Sequence, residues 1–204
     1  MSGTGFWWIL LACIVYGAVH SILASYWAKR VAEGWFGKGV HRWYRLFFSL
    51  QGGILFLPIL VLVLRLPDQM LYQIGFPWVV LSGFLQILGT GIVIYAIFQT
   101  GLGEFIGLSQ AFGFSTVDST QAPKLVISGL YRWVRHPIYT GSLLVIWLLA
   151  GMSWNVLAFN LGLTAYLIVG IILEERKLRV EFGAQYDEYA RRTPMLIPGL
   201  RFRK

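Results

Sequence analysis

Residues 139–173 form a run of 35 positions without one Asp, Glu, Lys or Arg. As one helix rising ~1.5 Å per residue the run would measure roughly 52 Å, too long for a single crossing of a ~30 Å hydrocarbon core. Folded back on itself it gives about 15 residues up and 20 back. Its centre, Gly151-Met152-Ser153-Trp154-Asn155, has turn chemistry. The run therefore predicts a membrane hairpin.

The rest of the chain agrees. Residues 5–27 carry no charged side chain over 23 positions, and no Lys or Arg precedes them. We read them as a retained first span rather than a cleaved signal peptide. A second span is expected at 46–64 with Pro58 inside it, and a third at 77–99, entered through Pro77 and Trp78. Composition closes the case: 57% apolar and 13% charged residues leave too little polar surface to cover a soluble domain. Disorder is excluded for the same reason. The single cysteine, Cys13, excludes an internal disulfide and a cysteine-rich metal site.

The net charge of +8 reads as loop asymmetry, not as an affinity for nucleic acid. Segments 28–42, 100–138 and 174–204 hold 15 of the 17 Lys and Arg residues. Arg45 adjoins the first segment, and Arg65 alone lies towards the other side. The three basic segments share the cytoplasm only if 139–173 is a hairpin. The expected fold is all-α: a polytopic integral membrane protein with five transmembrane helices, the last two a hairpin, N-terminus outside and C-terminus inside. Residues 1–204 make one membrane domain, with three spans in 1–100 and most polar chemistry in 101–204.

The segment GLYRWVRHPIYTG at 129–141 puts Pro137 at a first-turn helix position, where its missing N–H costs nothing. His136 would then cap a helix whose N-terminal N–H groups favour an anion. Arg132 and Arg135 also suit a plain topology anchor. The segment EERKLRVEFGAQYDEYARR at 174–192 continues the last span into water as an amphipathic helix broken near Gly183. Glu175–Arg179, Asp187–Arg191 and Glu188–Arg192 are i,i+4 pairs. Glu174 has Leu178 at i+4 and follows Leu173 directly, at a depth where a carboxylate needs a partner. His20 is the ionisable group inside the first span. The three His lack metal-ligand spacing, and no HExxH, Walker loop, GxSxG or GxGxxG occurs, so no metal is expected.

The ordered set Arg135-His136-Pro137-Ile138-Tyr139, Gly141, Glu174-Glu175, Leu178, Phe182-Gly183, Tyr186, Tyr189 and Pro198 resembles the C-terminal signature of the isoprenylcysteine carboxyl methyltransferase superfamily. His20-Ser21, Ala24-Ser25, Tyr44-Arg45-Leu46-Phe47 and Glu104-Phe105-Ile106-Gly107-Leu108 resemble a narrower branch, the methanethiol S-methyltransferase and NnrU-like membrane proteins. That branch usually carries Thr-Pro after the Trp of span four, where this chain has Leu148-Leu149 after Trp147.

The resemblance implies an S-adenosylmethionine-dependent methyltransferase of a bacterial inner membrane, with a cytoplasmic cofactor pocket and a small apolar or lipidic methyl acceptor. The cofactor-binding candidates are His136, Pro137, Tyr139, Gly141, Glu174, Glu175, Tyr186 and Tyr189. The catalytic candidates are Arg135, His136 and Glu104; the acceptor candidates are His20, Tyr44, Arg45 and Glu104. Segment 104–114 suits an interfacial lid or an interfacial anchor equally. Three alternatives stay open: carboxyl methylation of a prenylcysteine-like or lipid acceptor, an NADPH-dependent membrane reductase, and a non-enzymatic scaffold or sensor whose basic tail reads anionic lipid.

Overall fold

The computed structural model describes residues 3–112 and 125–200. It is helical except for two short strands. In chain order the elements are α1 (Phe6–Ala24), α2 (Tyr26–Phe36), α3 (Val40–Arg65), β1 (Met70–Gln73), α4 (Trp78–Thr100), α5 (Leu102–Ile106), α6 (Leu108–Phe112), a 3-10 turn (Gly129–Arg132), α7 (Pro137–Trp147), β2 (Gly151–Ser153), α8 (Trp154–Phe182) and α9 (Ala184–Arg192). Among the described residues α1, α3, α4 and α8 are long and apolar enough to cross a membrane. Only 11–22% of each span is buried, so apolar side chains face outward, as lipid as solvent requires.

Two boundaries differ from the expectation. The first span ends at Ala24, not residue 27. Ser25 takes an extended conformation, and its Oγ accepts from the Ala28 N–H at 3.2 Å. A side-chain oxygen there satisfies an orphan donor and starts a new helix, so the stretch 26–36 is helical rather than loop. The helix of the second span, α3, begins at Val40, six residues before the apolar run, and carries His41, Arg42 and Arg45 on its polar extension.

The 35-residue apolar run is divided as its turn chemistry requires, with α7 ending at Trp147 and α8 starting at Trp154. The two arms are unequal. α7 has 11 residues and rises about 16 Å; α8 has 29 and rises about 44 Å.

The described residues fall into two compact units. The first draws on Met1–Leu71, Gly101–Gln121 and Met152–Tyr166, the second on Tyr72–Thr100, Ala122–Gly151 and Leu167–Lys204. In the first, Phe6, Ile9, Cys13, Ile59 and Ala158 form the core. Asn155, fully buried, ties it at one end: its Nδ2 donates to the carbonyls of Leu66 and Pro67, each at 3.2 Å. The N–H of Gly5 also donates to the Pro67 carbonyl, at 2.8 Å. Asp68 Oδ1 accepts from the Asn155 N–H at 3.0 Å, placing a carboxylate at the positive end of α8. At the other end Gly107, with φ +92, lies so close to α3 that a Cβ would meet the Leu46 nitrogen at 2.7 Å. Two segments that look unrelated in sequence, Tyr44–Phe47 and Glu104–Leu108, thus meet backbone to backbone.

In the second unit α4 packs along α7. A Cβ on Gly141 would lie 2.5 Å from the Gly89 carbonyl, so the helices approach as only glycine permits. The last carbonyls of so short a helix have no helical partner. α4 supplies them: the Ser82 hydroxyl donates to the Leu148 carbonyl, and Gln86 Nε2 to the Val145 carbonyl at 3.1 Å. Gln99 closes the other end, its Oε1 accepting from the Leu130 N–H at 3.1 Å.

Candidate active site

The second unit gathers most of the C-terminal candidates at the polar boundary of α7 and α8. Pro137 occupies the first turn of α7 and His136 its N-cap position, as the proline's fixed φ favours. The chain after α9 runs back along this N-terminus. The Arg135 N–H donates to the Pro194 carbonyl at 2.9 Å and the His136 N–H to the Met195 carbonyl at 3.1 Å. Thr140 Oγ1 donates to the Leu196 carbonyl at 2.8 Å.

Glu175 is the hub. It is 4% exposed, and its Oε1 accepts from Arg135 Nε at 2.8 Å and from the Tyr186 hydroxyl at 2.7 Å. His136 Nε2 lies 2.9 Å from the same oxygen. Its Oε2 faces Arg135 Nη2 and Arg179 Nη2, each at 3.3 Å. Arg135 extends the network by donating from Nη1 to the carbonyls of Ala190 at 2.9 Å and Thr193 at 2.7 Å. A buried carboxylate is tolerable only when paired and hydrogen-bonded, and this one is saturated.

Glu174 differs. Its side chain is 43% exposed, and its Oε2 stands 3.5 Å from His136 Nδ1. The imidazole therefore lies between two carboxylates. Burial by itself lowers the His136 pKa, but the hydrogen bonds and charges of Glu174 and Glu175 outweigh it and hold the pKa above the usual value. Counted with His136 charged, Arg135, His136 and Arg179 balance Glu174, Glu175 and Asp187, the last 3.4 Å from Arg179 Nε. Burial raises the pKa of the Tyr186 hydroxyl, and its bond to Glu175 raises it further. Burial, with Glu174 nearby, pushes Tyr131 up to about 12. Tyr189 donates its hydroxyl to the Tyr131 backbone carbonyl at 2.6 Å, so Tyr186 and Tyr189 act as neutral donors.

Arg135, His136, Pro137, Glu174, Glu175, Tyr186 and Tyr189 thus belong to one cluster. Tyr139 joins its edge, its ring centroid 5.5 Å from that of His136. Gly141, one turn on, packs against α4. The acceptor candidates are in the first unit: His20 on α1, and Tyr44 and Arg45 on α3. The Tyr44 hydroxyl donates to the Leu23 carbonyl at 2.6 Å, a tie between those two helices. Glu104 is the middle residue of the short α5, and its side chain lies outside the described residues, as do residues 113 and 114 of the expected lid. Sequence reasoning missed Arg179 as a partner of Asp187, which it paired with Arg191. The signal available was Gly183, whose break ends α8 and starts a new helix, so that Asp187 comes back to Arg179.

The donor set suits S-adenosylmethionine. That molecule brings an ammonium, a sulfonium cation and ribose hydroxyls. A half-exposed carboxylate, Glu174, steadied by a buried imidazole, is a fitting partner for any of them, and Tyr139 offers an aromatic face beside it. Glu175 and both His136 nitrogens are already engaged within the protein, so their part is to hold Glu174 and the start of α7.

Fold and site together define a polytopic helical membrane protein with a buried ion-pair cluster at one polar boundary. The chain belongs to the phospholipid methyltransferase family, whose model matches residues 77–185, just over half of it and the stretch that contains every member of the cluster from Arg135 to Glu175. It is similar to methanethiol S-methyltransferase 1 of Bradyrhizobium diazoefficiens, 30% identical over 195 residues, covering 93% of this chain and 65% of that protein. Methanethiol S-methyltransferase 2 of the same organism is 41% identical over 97 residues, 48% of this chain and 38% of that one. Protein-S-isoprenylcysteine O-methyltransferase of Schizosaccharomyces pombe is 31% identical over 123 residues, 52% of this chain and 51% of that one. The chain spans less than two thirds of the length of each of these three relatives. No solved structure matches it.

Proposed function

We propose that this protein is an integral-membrane methyltransferase that uses S-adenosylmethionine and passes the methyl group to a small thiol of the methanethiol type or another membrane-soluble acceptor. The observation that carries the reading is Glu174: a half-exposed carboxylate against a buried imidazole, inside the segment that matches the family. Bound cofactor supplies a methyl carbon activated by a positive sulfonium. Glu174 and Tyr139 hold the cationic and aromatic parts, Pro137 and Gly141 shape the start of α7, and Glu175, Tyr186 and Tyr189 keep that shape. Arg135 fixes the carboxylate hub. The chemistry is an in-line displacement: the acceptor sulfur forms the new S–C bond, the sulfonium S–C bond breaks, and the thiol proton leaves to water or a base such as Glu104. The protein contributes alignment and a dry, preorganised site. His20, Tyr44 and Arg45 in the first unit select the acceptor.

In the membrane of a bacterial cell α7 crosses as the fourth and shortest of five spans. The N-terminus is then outside and the C-terminus cytoplasmic, as the basic segments favour. The similarity to the isoprenylcysteine enzyme supports a second reading, methylation of a prenylcysteine-like carboxylate, which needs no base because the acceptor is already ionised. The test is incubation of the purified protein with S-adenosylmethionine labelled in its methyl group and, separately, a small thiol, a prenylcysteine analogue and a lipid extract. Label in the thiol product supports the first reading. Label in the ester alone replaces it with the second, and no label in any product overturns both.

A further inference from the structure

Helix α2 differs from the spans in both length and composition. Its 11 residues rise about 16 Å, half of what a crossing needs. The extended Ser25 alone separates it from α1, so α2 starts at the depth where the first span leaves the hydrocarbon. Part of it packs on the protein: Ala28 is buried, and Lys29 reaches α3, its Nζ 6.0 Å from the centroid of the Tyr44 ring. Trp27, Val31 and Trp35 recur at i, i+4 and i+8 and make a separate stripe along the helix. That stripe is uncovered at both ends, with Trp27 61% and Trp35 79% exposed. Phe36, the last residue of α2, is exposed as well. Large indole rings with one apolar body and one polar N–H are the side chains that collect where hydrocarbon meets water.

The charge around the stripe has one sign. Between residues 25 and 47 the chain carries Lys29, Arg30, Lys38, Arg42 and Arg45 against a single acid, Glu33. Glu33 is engaged, its Oε2 3.1 Å from His41 Nε2. Arg42 is engaged too, donating from Nε to the Ala111 carbonyl at 2.6 Å. Arg30 and Lys38 are exposed. Arg30 stands at i+3 from Trp27, on the margin of the stripe, and Lys38 lies two residues beyond the end of α2.

We propose that α2 lies in the plane of the membrane boundary and docks anionic phospholipid, with Trp27, Val31 and Trp35 among the upper acyl chains and Arg30 and Lys38 on the headgroup phosphates. Two observations choose this occupant. The stripe follows directly on the lipid-facing surface of α1, where Val19 and Ile22 are exposed one and two turns before it. Its rim is cationic, and an apolar stripe rimmed by Lys and Arg matches a boundary that is apolar on one side and anionic on the other. A protein partner would need an acidic rim around its own apolar patch to meet the same surface.

The experiment uses the full chain with Cys13→Ala and Gly34→Cys, reconstituted in phosphatidylcholine nanodiscs and labelled at the cysteine with a nitrobenzoxadiazole fluorophore. Gly34 is exposed, a Cβ there meets nothing within 4 Å, and it follows Arg30 at i+4. The quenchers are phosphatidylglycerol and phosphatidylcholine, each carrying a nitroxide on an upper acyl carbon. Both should quench, and half-quenching should take about fivefold less phosphatidylglycerol, the preference that one basic residue gives at an anionic surface. Arg30→Gln with Lys38→Gln should bring the two lipids to within about twofold of each other. Arg176→Gln with Arg191→Gln, which lowers the net charge equally on α8 and α9, should keep the preference. Unchanged melting temperatures report that the variants are folded. Quenching by aqueous iodide but by neither lipid would put α2 in water and overturn the proposal. Equal quenching by the two lipids with Arg30 and Lys38 in place would overturn it, as would loss of the preference in the Arg176 and Arg191 variant. Protection from lipid and iodide alike, in a protein of dimer mass, would assign the stripe to a second copy of the chain and overturn it too.

Discussion

The hydroxyl of Tyr186 on α9 donates to Glu175 on α8 at 2.7 Å, across the break at Gly183, and both side chains are buried. One bond therefore joins the end of the last long helix to the amphipathic helix that follows. With Arg135 and His136 on the same oxygen, it anchors the start of α7 as well.

Glu175→Gln leaves Arg135 buried without its counter-charge. Breaking a buried ion pair on one side costs about 3–5 kcal/mol. The expected outcome is a large fall in the melting temperature in detergent and a loss of monodisperse protein. Tyr186→Phe removes one charge-assisted bond from an oxygen that keeps two partners, and should cost about 1.5 kcal/mol. A Glu175→Gln protein as stable as its parent would contradict the hub.

Glu174→Gln is the functional counterpart. The residue is half-exposed, and removing its charge relieves no buried cation except His136. Stability should change little. Affinity for S-adenosylhomocysteine should fall about tenfold, equivalent to about 1.4 kcal/mol, as read by titration calorimetry. Unchanged affinity would confine Glu174 to the ion-pair network.

The pH dependence follows from His136. Its pKa is raised in the folded protein, so the stabilisation is fully present below the ordinary histidine value near 6.5 and is lost as pH rises through the higher folded pKa. The melting temperature should fall as pH is raised from 6 to 9, and His136→Gln should flatten that slope. Equal slopes in the two proteins would mean that the imidazole does not carry the charge.

Topology is checked with single cysteines in a Cys13→Ala background. Met70, Ser128 and Gln185 are exposed. Under the five-span arrangement a membrane-impermeant maleimide added to intact cells labels Met70→Cys and spares Ser128→Cys and Gln185→Cys. Labelling of one of the last two without the other would show that α7 does not cross.

Much of this arrangement was legible in the chain, and the reasons differ by residue. Helix existence follows from apolar run length, and Pro137 marks the start of α7 because its ring favours one place in a helix. Ser25 carried an equally local signal, a capping residue before Lys29 and Arg30, but the apolar run through Trp27 obscured it. Arg135 with Glu175, 40 positions apart, was legible only as part of a resemblance, because spacing speaks to neighbours within a helix or strand. The partnership of Asp187 with Arg179 required the chain direction after Gly183, which no periodicity supplies.

The tie at Asn155 has a consequence for biogenesis. Gly5, Pro67, Asp68 and Asn155 meet in one hydrogen-bonded knot although the first and last are 150 residues apart. During synthesis α1 and α3 leave the ribosome and enter the bilayer long before Asn155 exists. Until then the Leu66 carbonyl lacks the amide that serves it, Pro67 has only the Gly5 N–H, and Asp68 waits for the helix start it caps. The knot therefore closes only when the fourth long helix has been inserted, whereas the Tyr44–Leu23 tie lets α1 and α3 pair before it.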